Sequence, residues 1–133
     1  MKLHGILNSE ISTVLSHMGH TDKLCISDCG LPIPAEPQKI DLALKLGFPS
    51  FLDVLHEVGN DMKIEKIILA AEIKEQNPEM YQNILSFFEA SGSPVIEFVT
   101  HEQFKQMTKT CKASIRTGEN TPYANIILQS GCI

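Results

Sequence analysis

Lys63-Ile64-Glu65-Lys66-Ile67-Ile68-Leu69-Ala70-Ala71 is the stretch that decides the fold. Residues 67–71 are apolar without interruption, whereas a strand with one face in water would alternate polar and apolar positions. The run therefore predicts a strand covered on both faces, as inside a parallel sheet with helices on either side. The residues after it extend the pattern. Asn77-Pro78 sets an N-cap type before a proline at the first helical position, and Met80, Tyr81, Ile84, Leu85 and Phe88 recur at helical spacing. Ser91-Gly92-Ser93-Pro94 ends that helix, and Val95-Ile96-Glu97-Phe98-Val99, β-branched and aromatic, predicts a strand. Thr100 and Gln103 then form a capping box whose helix begins at His101.

Toward the N-terminus the same alternation continues. Ser50 and Asp53 open a helix with Phe51, Leu52, Leu55 and Val58 on its buried face. Ile40-Asp41-Leu42-Ala43-Leu44 alternates and predicts a strand, while Pro32, Pro34 and Pro37 mark an irregular loop before it. Lys23-Leu24-Cys25-Ile26-Ser27-Asp28 predicts a buried strand that Cys29-Gly30 ends, leaving Asp28 at its carboxyl end. Asn8 and Ser9 cap a helix bearing Ile11, Val14, Leu15 and Met18, and Gly19 stops it. The chain closes with residues 113–117, the turn-rich residues 118–122 and an apolar strand over residues 124–128. Strands alternating with helices predict the α/β class, as one layered domain over residues 1–133 with a largely parallel sheet flanked by helices. Ligands of such sheets bind outside the carboxyl ends of the strands, which is where Asp28 and His101 fall.

Composition narrows the partners. The 133 residues are 43% hydrophobic and 20% charged, which fits one globular domain with a real core. A net charge of -5, with no basic run, argues against nucleic acid. No apolar run approaches bilayer length and the first residues lack a signal-peptide core, so the expectation is a cytoplasmic protein with no membrane insertion. In that reducing compartment Cys25, Cys29, Cys111 and Cys132 are expected to be structural or incidental, because the first two have no second pair at zinc-binding spacing.

Of five histidines, His20 and His101 stand at element boundaries beside hydrogen-bonding neighbours, while His56 lies mid-helix. Histidine exchanges protons near neutrality. His20, in Met18-Gly19-His20-Thr21-Asp22, precedes Asp28 in Ser27-Asp28-Cys29-Gly30-Leu31-Pro32, and the two read as an acid and a carboxylate acting together on a small polar molecule. A metal site from His17, His20, Asp22 and Asp28 is disfavoured, since Gly19 interrupts the helix that would align the imidazoles. No Gly-x-Ser-x-Gly elbow offers a nucleophile. Tyr123 and Asn125 are two residues apart, on one side of the chain if it is extended, and suit a polyhydroxylated ligand. The alternative is a turn leading into a strand, with Tyr123 packed and Asn125 bonded to backbone.

These blocks resemble the D-ribose pyranase family nearly end to end. Residues 2–10 read K-L-H-G-I-L-N-S-E, 18–22 M-G-H-T-D, 28–34 D-C-G-L-P-I-P and 49–54 P-S-F-L-D-V. Residues 99–104 read V-T-H-E-Q-F and 116–125 R-T-G-E-N-T-P-Y-A-N, while residues 72–94 carry no block of this kind. The resemblance implies a cofactor-independent isomerase that interconverts the pyranose and furanose forms of D-ribose. It implies His20 as proton donor and Asp28, His101, Tyr123, Ala124 and Asn125 as substrate contacts, Ala124 through its backbone. It also implies a homo-oligomer, a decamer of two pentamers with sites where subunits meet. Fucose mutarotases are related to this family, so a mutarotase for another monosaccharide and a non-catalytic sugar-binding accessory protein of ribose uptake are the alternative readings. In the pyranase reading His20 protonates the ring oxygen, and Asp28 either holds the His20 tautomer or binds a hydroxyl of the sugar.

Overall fold

The computed structural model describes residues 1–133. Six strands form one sheet: β1 (Lys23–Ser27), β2 (Gln38–Asp41), β3 (Ile64–Ala70), β4 (Val95–Val99), β5 (Ala113–Arg116) and β6 (Ile126–Ser130). Their order is β2-β5-β1-β6-β3-β4. β1 and β2 each pair parallel with β5, and β3 pairs parallel with β4; β6 alone runs the other way, antiparallel to both β1 and β3. The largely parallel sheet flanked by helices is therefore present, with the carboxyl ends of five strands at one edge.

Local chemistry accounts for the helix starts. Asn8 accepts from Ile11 N at 2.9 Å to begin α1 (Ser9–His17), and Ser50 accepts from Asp53 N at 3.1 Å to begin α2 (Phe51–Asn60). A short α3 (Ile73–Gln76) that the sequence did not announce precedes α4 (Pro78–Ser91), which Asn77 caps. Both halves of the Thr100/Gln103 capping box form at α5 (His101–Met107). Such caps contribute about 1 kcal/mol each.

Side chains alternate across the sheet and meet helices on both sides. Leu24, Ile26, Ile67, Leu69, Ile126 and Leu128 face one way, into the core with α1, α2 and α4. Cys25, Ile68 and Ile127 face the other, against Phe104 of α5, Leu31 and Cys111. Residues 67–70 are thus buried on both faces, as their unbroken apolar run requires. All four cysteines are free.

Two strand boundaries differ from the sequence reading. β2 lies at Gln38–Asp41, not over residues 40–44, because Ile40 pairs beside Ile115 and the chain leaves the sheet edge after Asp41. β6 begins at Ile126, so Ala124 and Asn125 belong to the turn before it.

Candidate active site

At the carboxyl end of β1, Asp28 turns back on its own loop. Its Oδ1 accepts from Gly30 N at 3.0 Å and Leu31 N at 2.8 Å, which is how Gly30 and the proline-bound loop are held over the strand end. Asn125 grips the same residue twice: its Oδ1 accepts from Asp28 N at 2.9 Å and its Nδ2 donates to Asp28 Oδ2 at 3.2 Å. Oδ2 keeps a lone pair for a further donor. Burial raises the Asp28 carboxyl above its ordinary range, opposed by those backbone and Asn125 hydrogen bonds and by His101 nearby.

His101 reaches the same edge from the first turn of α5, whose N-terminus Glu72 closes by accepting from His101 N at 2.9 Å. Its ring stands edge-on to Tyr123, centroids 5.0 Å apart and planes at 89°. The Nδ1 of His101 is buried and has no hydrogen-bond partner within the chain. A buried imidazole nitrogen is costly to leave unpaired, so this atom is ready for a polar group from outside the chain. Tyr123 occupies left-handed backbone at φ 56, a region that non-glycine residues enter at a cost and that clusters at functional sites. The segment is therefore not extended there, and Asn125 N folds back to donate to Tyr123 O at 2.9 Å. Ala124 and Asn125 are buried. Asp28, His101, Tyr123 and Asn125 thus converge, as positions at strand ends predict.

His20 does not join them. It sits in the turn before β1, so the five residues of that strand, at about 3.3 Å each, put about 16 Å between it and Asp28. Within one chain, therefore, β1 stands between His20 and Asp28 and the two do not meet. The partner of His20 is Glu65: Nε2 lies 3.0 Å from Glu65 Oε2. His20 borders a groove of about 190 Å³ with Met18, Asp61, Met62, Lys63 and Ser130. No three His, Cys, Asp or Glu side chains gather as metal ligands do.

The profile of the RbsD / FucU transport protein family matches residues 1–133. The chain belongs to that family. A D-ribose pyranase of Geobacillus kaustophilus (strain HTA426) is 59% identical over 131 residues, covering 98% of this chain and 94% of that protein. Bacillus subtilis RbsD complexed with D-ribose superimposes with a TM-score of 0.94 at 50% identity, covering 100% of this chain and 99% of that one. The fold alone extends to a fucose mutarotase from Streptococcus pneumoniae in complex with L-fucose, with a TM-score of 0.82 at 22% identity over 96% of this chain and 94% of that one.

In this RbsD / FucU chain several supporting residues escaped the sequence reading. Asn77, visible only as a helix cap, also donates from Nδ2 to Thr121 Oγ1 at 3.0 Å and Pro122 O at 2.8 Å, tying down the turn that carries Tyr123. Buried Glu119 accepts from Phe51 N at 3.1 Å and from Thr121 Oγ1 at 2.9 Å, joining α2 to the same turn. Glu65 lies in the polar half of β3, where a charged side chain is ordinary for a strand that emerges from the core. The one available signal was a carboxylate two positions before a fully buried run.

Proposed function

We propose that the chain is a D-ribose pyranase, a cofactor-independent isomerase that interconverts the pyranose and furanose forms of D-ribose. The observation that carries this reading is the 59% identity to a D-ribose pyranase over 98% of the chain. The polar edge fits a small polyol: Asp28 Oδ2 accepts from a sugar hydroxyl, the unpartnered His101 Nδ1 meets a second, and Tyr123, Asn125 and the Ala124 backbone orient the rest.

Changing ring size needs one bond broken and one formed. The protonated His20 gives its proton to the ring oxygen as the bond from that oxygen to the anomeric carbon breaks, and the anomeric hydroxyl passes its proton to solvent water as it becomes the aldehyde. A different hydroxyl then adds to the aldehyde carbon, its proton returns to His20, and the carbonyl oxygen takes a proton back from water. General acid-base catalysis of this kind contributes about two to four orders of magnitude, and holding a flexible sugar contributes through orientation.

Because β1 separates His20 from Asp28, the acid and the sugar-binding edge come from two copies of the chain. A second copy brings its own His20 to the Asp28 edge of the first, in a homo-oligomer that we propose is a decamer of two pentamers. Exposed Leu44, Leu46 and Phe48, in the loop after β2, support a covered surface of this type. The test is saturation-transfer NMR on D-ribose with catalytic amounts of protein. Faster exchange out of the pyranose form is expected, falling by about 100-fold or more in His20→Ala; exchange at the uncatalysed rate with the intact protein rejects the reading.

A further inference from the structure

Glu65 occupies an irregular point in the sheet. Ile64 pairs with Ser130 and Lys66 with Gln129, so Glu65 is the extra residue of a β-bulge between them. Bulges re-aim a side chain and gather beside functional sites. Here the carboxylate is turned toward the loop before β1 and held at both oxygens: Gln129 Nε2 donates to Oε1 at 2.7 Å, and Oε2 lies 3.0 Å from His20 Nε2. The absence of a side chain at Gly131 makes room, since a Cβ there would stand 3.0 Å from the Glu65 Cβ. The His20 loop is fixed independently, with Thr21 in left-handed backbone at φ 70 and Asp22 Oδ2 accepting from Gly19 N at 2.9 Å.

A carboxylate only accepts hydrogen bonds, so the His20 nitrogen facing it must carry hydrogen. We propose that Glu65, braced by Gln129, is a positioning residue that keeps the His20 proton on Nε2 and leaves Nδ1 as the atom that exchanges protons with the sugar. The assignment rests on the reading of His20 as the pyranase acid. Within one chain Asp28 lies at the other end of β1, so the tautomer of His20 is set by Glu65, and Asp28 of the neighbouring copy is left to bind the sugar. In the cycle, Nδ1–H of the protonated ring delivers to the ring oxygen and the neutral Nε2–H tautomer is left behind, ready to take the proton back at Nδ1. The Nε2–H···Glu65 bond persists through both steps.

The side chains are partly exposed, 51% for His20 and 37% for Glu65, so the role of Glu65 lies in orientation and tautomer rather than in the strength of the ion pair. Replacing Glu65 by Gln makes a sharp case. Gln129 donates toward the position of Oε1, which favours the amide oxygen there and turns the amide NH2 toward His20. His20 Nε2 must then accept, and the neutral ring shifts its proton to Nδ1.

The experiment is two-bond nitrogen-proton NMR of the imidazoles in the intact protein and in Glu65→Gln, with ribose exchange measured alongside. Expected are the Nε2–H tautomer for His20 in the wild type, the Nδ1–H tautomer in Glu65→Gln, and a kcat lower by about 100-fold, the lower end of what a positioned acid-base group contributes, with little change in KM. An Nδ1–H tautomer in the wild type overturns the assignment without need of any variant. So does a Glu65→Gln protein with unchanged tautomer or unchanged kcat. If the wild type fails to exchange ribose, the pyranase reading falls by itself, and the tautomer measurement still decides the position of Glu65.

Discussion

At Asp28, burial strengthens the hold of the carboxyl on its proton, while Gly30, Leu31 and Asn125 donate hydrogen bonds that weaken it. Burial prevails, and the sign of the consequence follows. In the unfolded chain this group titrates near 3.9; in the fold it does so higher, so between the two values the folded state binds more protons. The stability linked to Asp28 is fully present below the unfolded value and is lost as pH rises through the folded one. Wild-type stability should thus decline relative to Asp28→Asn as pH moves from acid toward neutral, read from urea unfolding at a series of pH values. A difference that stays flat would mean Asp28 is not perturbed. Such residue types were legible in the sequence because their chemistry is local: His101 as the first residue of a capped helix and Asp28 at a strand end both stand where they were expected. Their grouping was less legible. Closeness along the chain made His20 and Asp28 look like partners, whereas an extended strand carries neighbours in sequence apart at about 3.3 Å per residue.

Elements whose ends are set by their own residues were the readable ones. Asn8, Ser50, Asn77 and Thr100 each close a helix start within three or four positions, and all four were visible as caps. β2 was misplaced because an edge strand takes its register from its neighbour, and β5 fixes Gln38 to Asp41 opposite Ala113 to Arg116. The bulge at Glu65 and the left-handed turn at Tyr123 are likewise tertiary in origin. Gly118 belongs between these cases. A Cβ there would run into the carbonyl oxygens of Phe48 and Lys45, both backbone atoms that cannot swing aside. The turn after β5 thereby packs on the loop after β2, with Gly118 N donating to Pro49 O at 2.8 Å. Gly118→Ala should destabilise the fold by about 1–3 kcal/mol or more, seen as a lower urea midpoint. A midpoint equal to wild type would show that the two loops separate freely.

Across the whole molecule, the sheet runs between two polar ends with different equipment. The carboxyl end holds Asp28, His101, Tyr123 and Asn125, with an unpartnered imidazole nitrogen among them. The opposite end holds His20 on Glu65. The resemblance to the D-ribose pyranases already implied sites shared between subunits. Sequence spacing carried no sign of it, since an interface depends on surfaces brought together only after folding. If each working site joins the His20 of one copy to the Asp28 edge of another, two defective chains can repair one another. His20→Ala and Asp28→Asn, each expected to be inactive alone, should be co-expressed, purified together as mixed oligomers and assayed by saturation-transfer NMR on D-ribose. Random mixing should restore pyranose exchange to about a quarter of the wild-type rate, the share of sites that draw both intact residues; exchange no faster than that of either variant alone would contradict a site built from two copies.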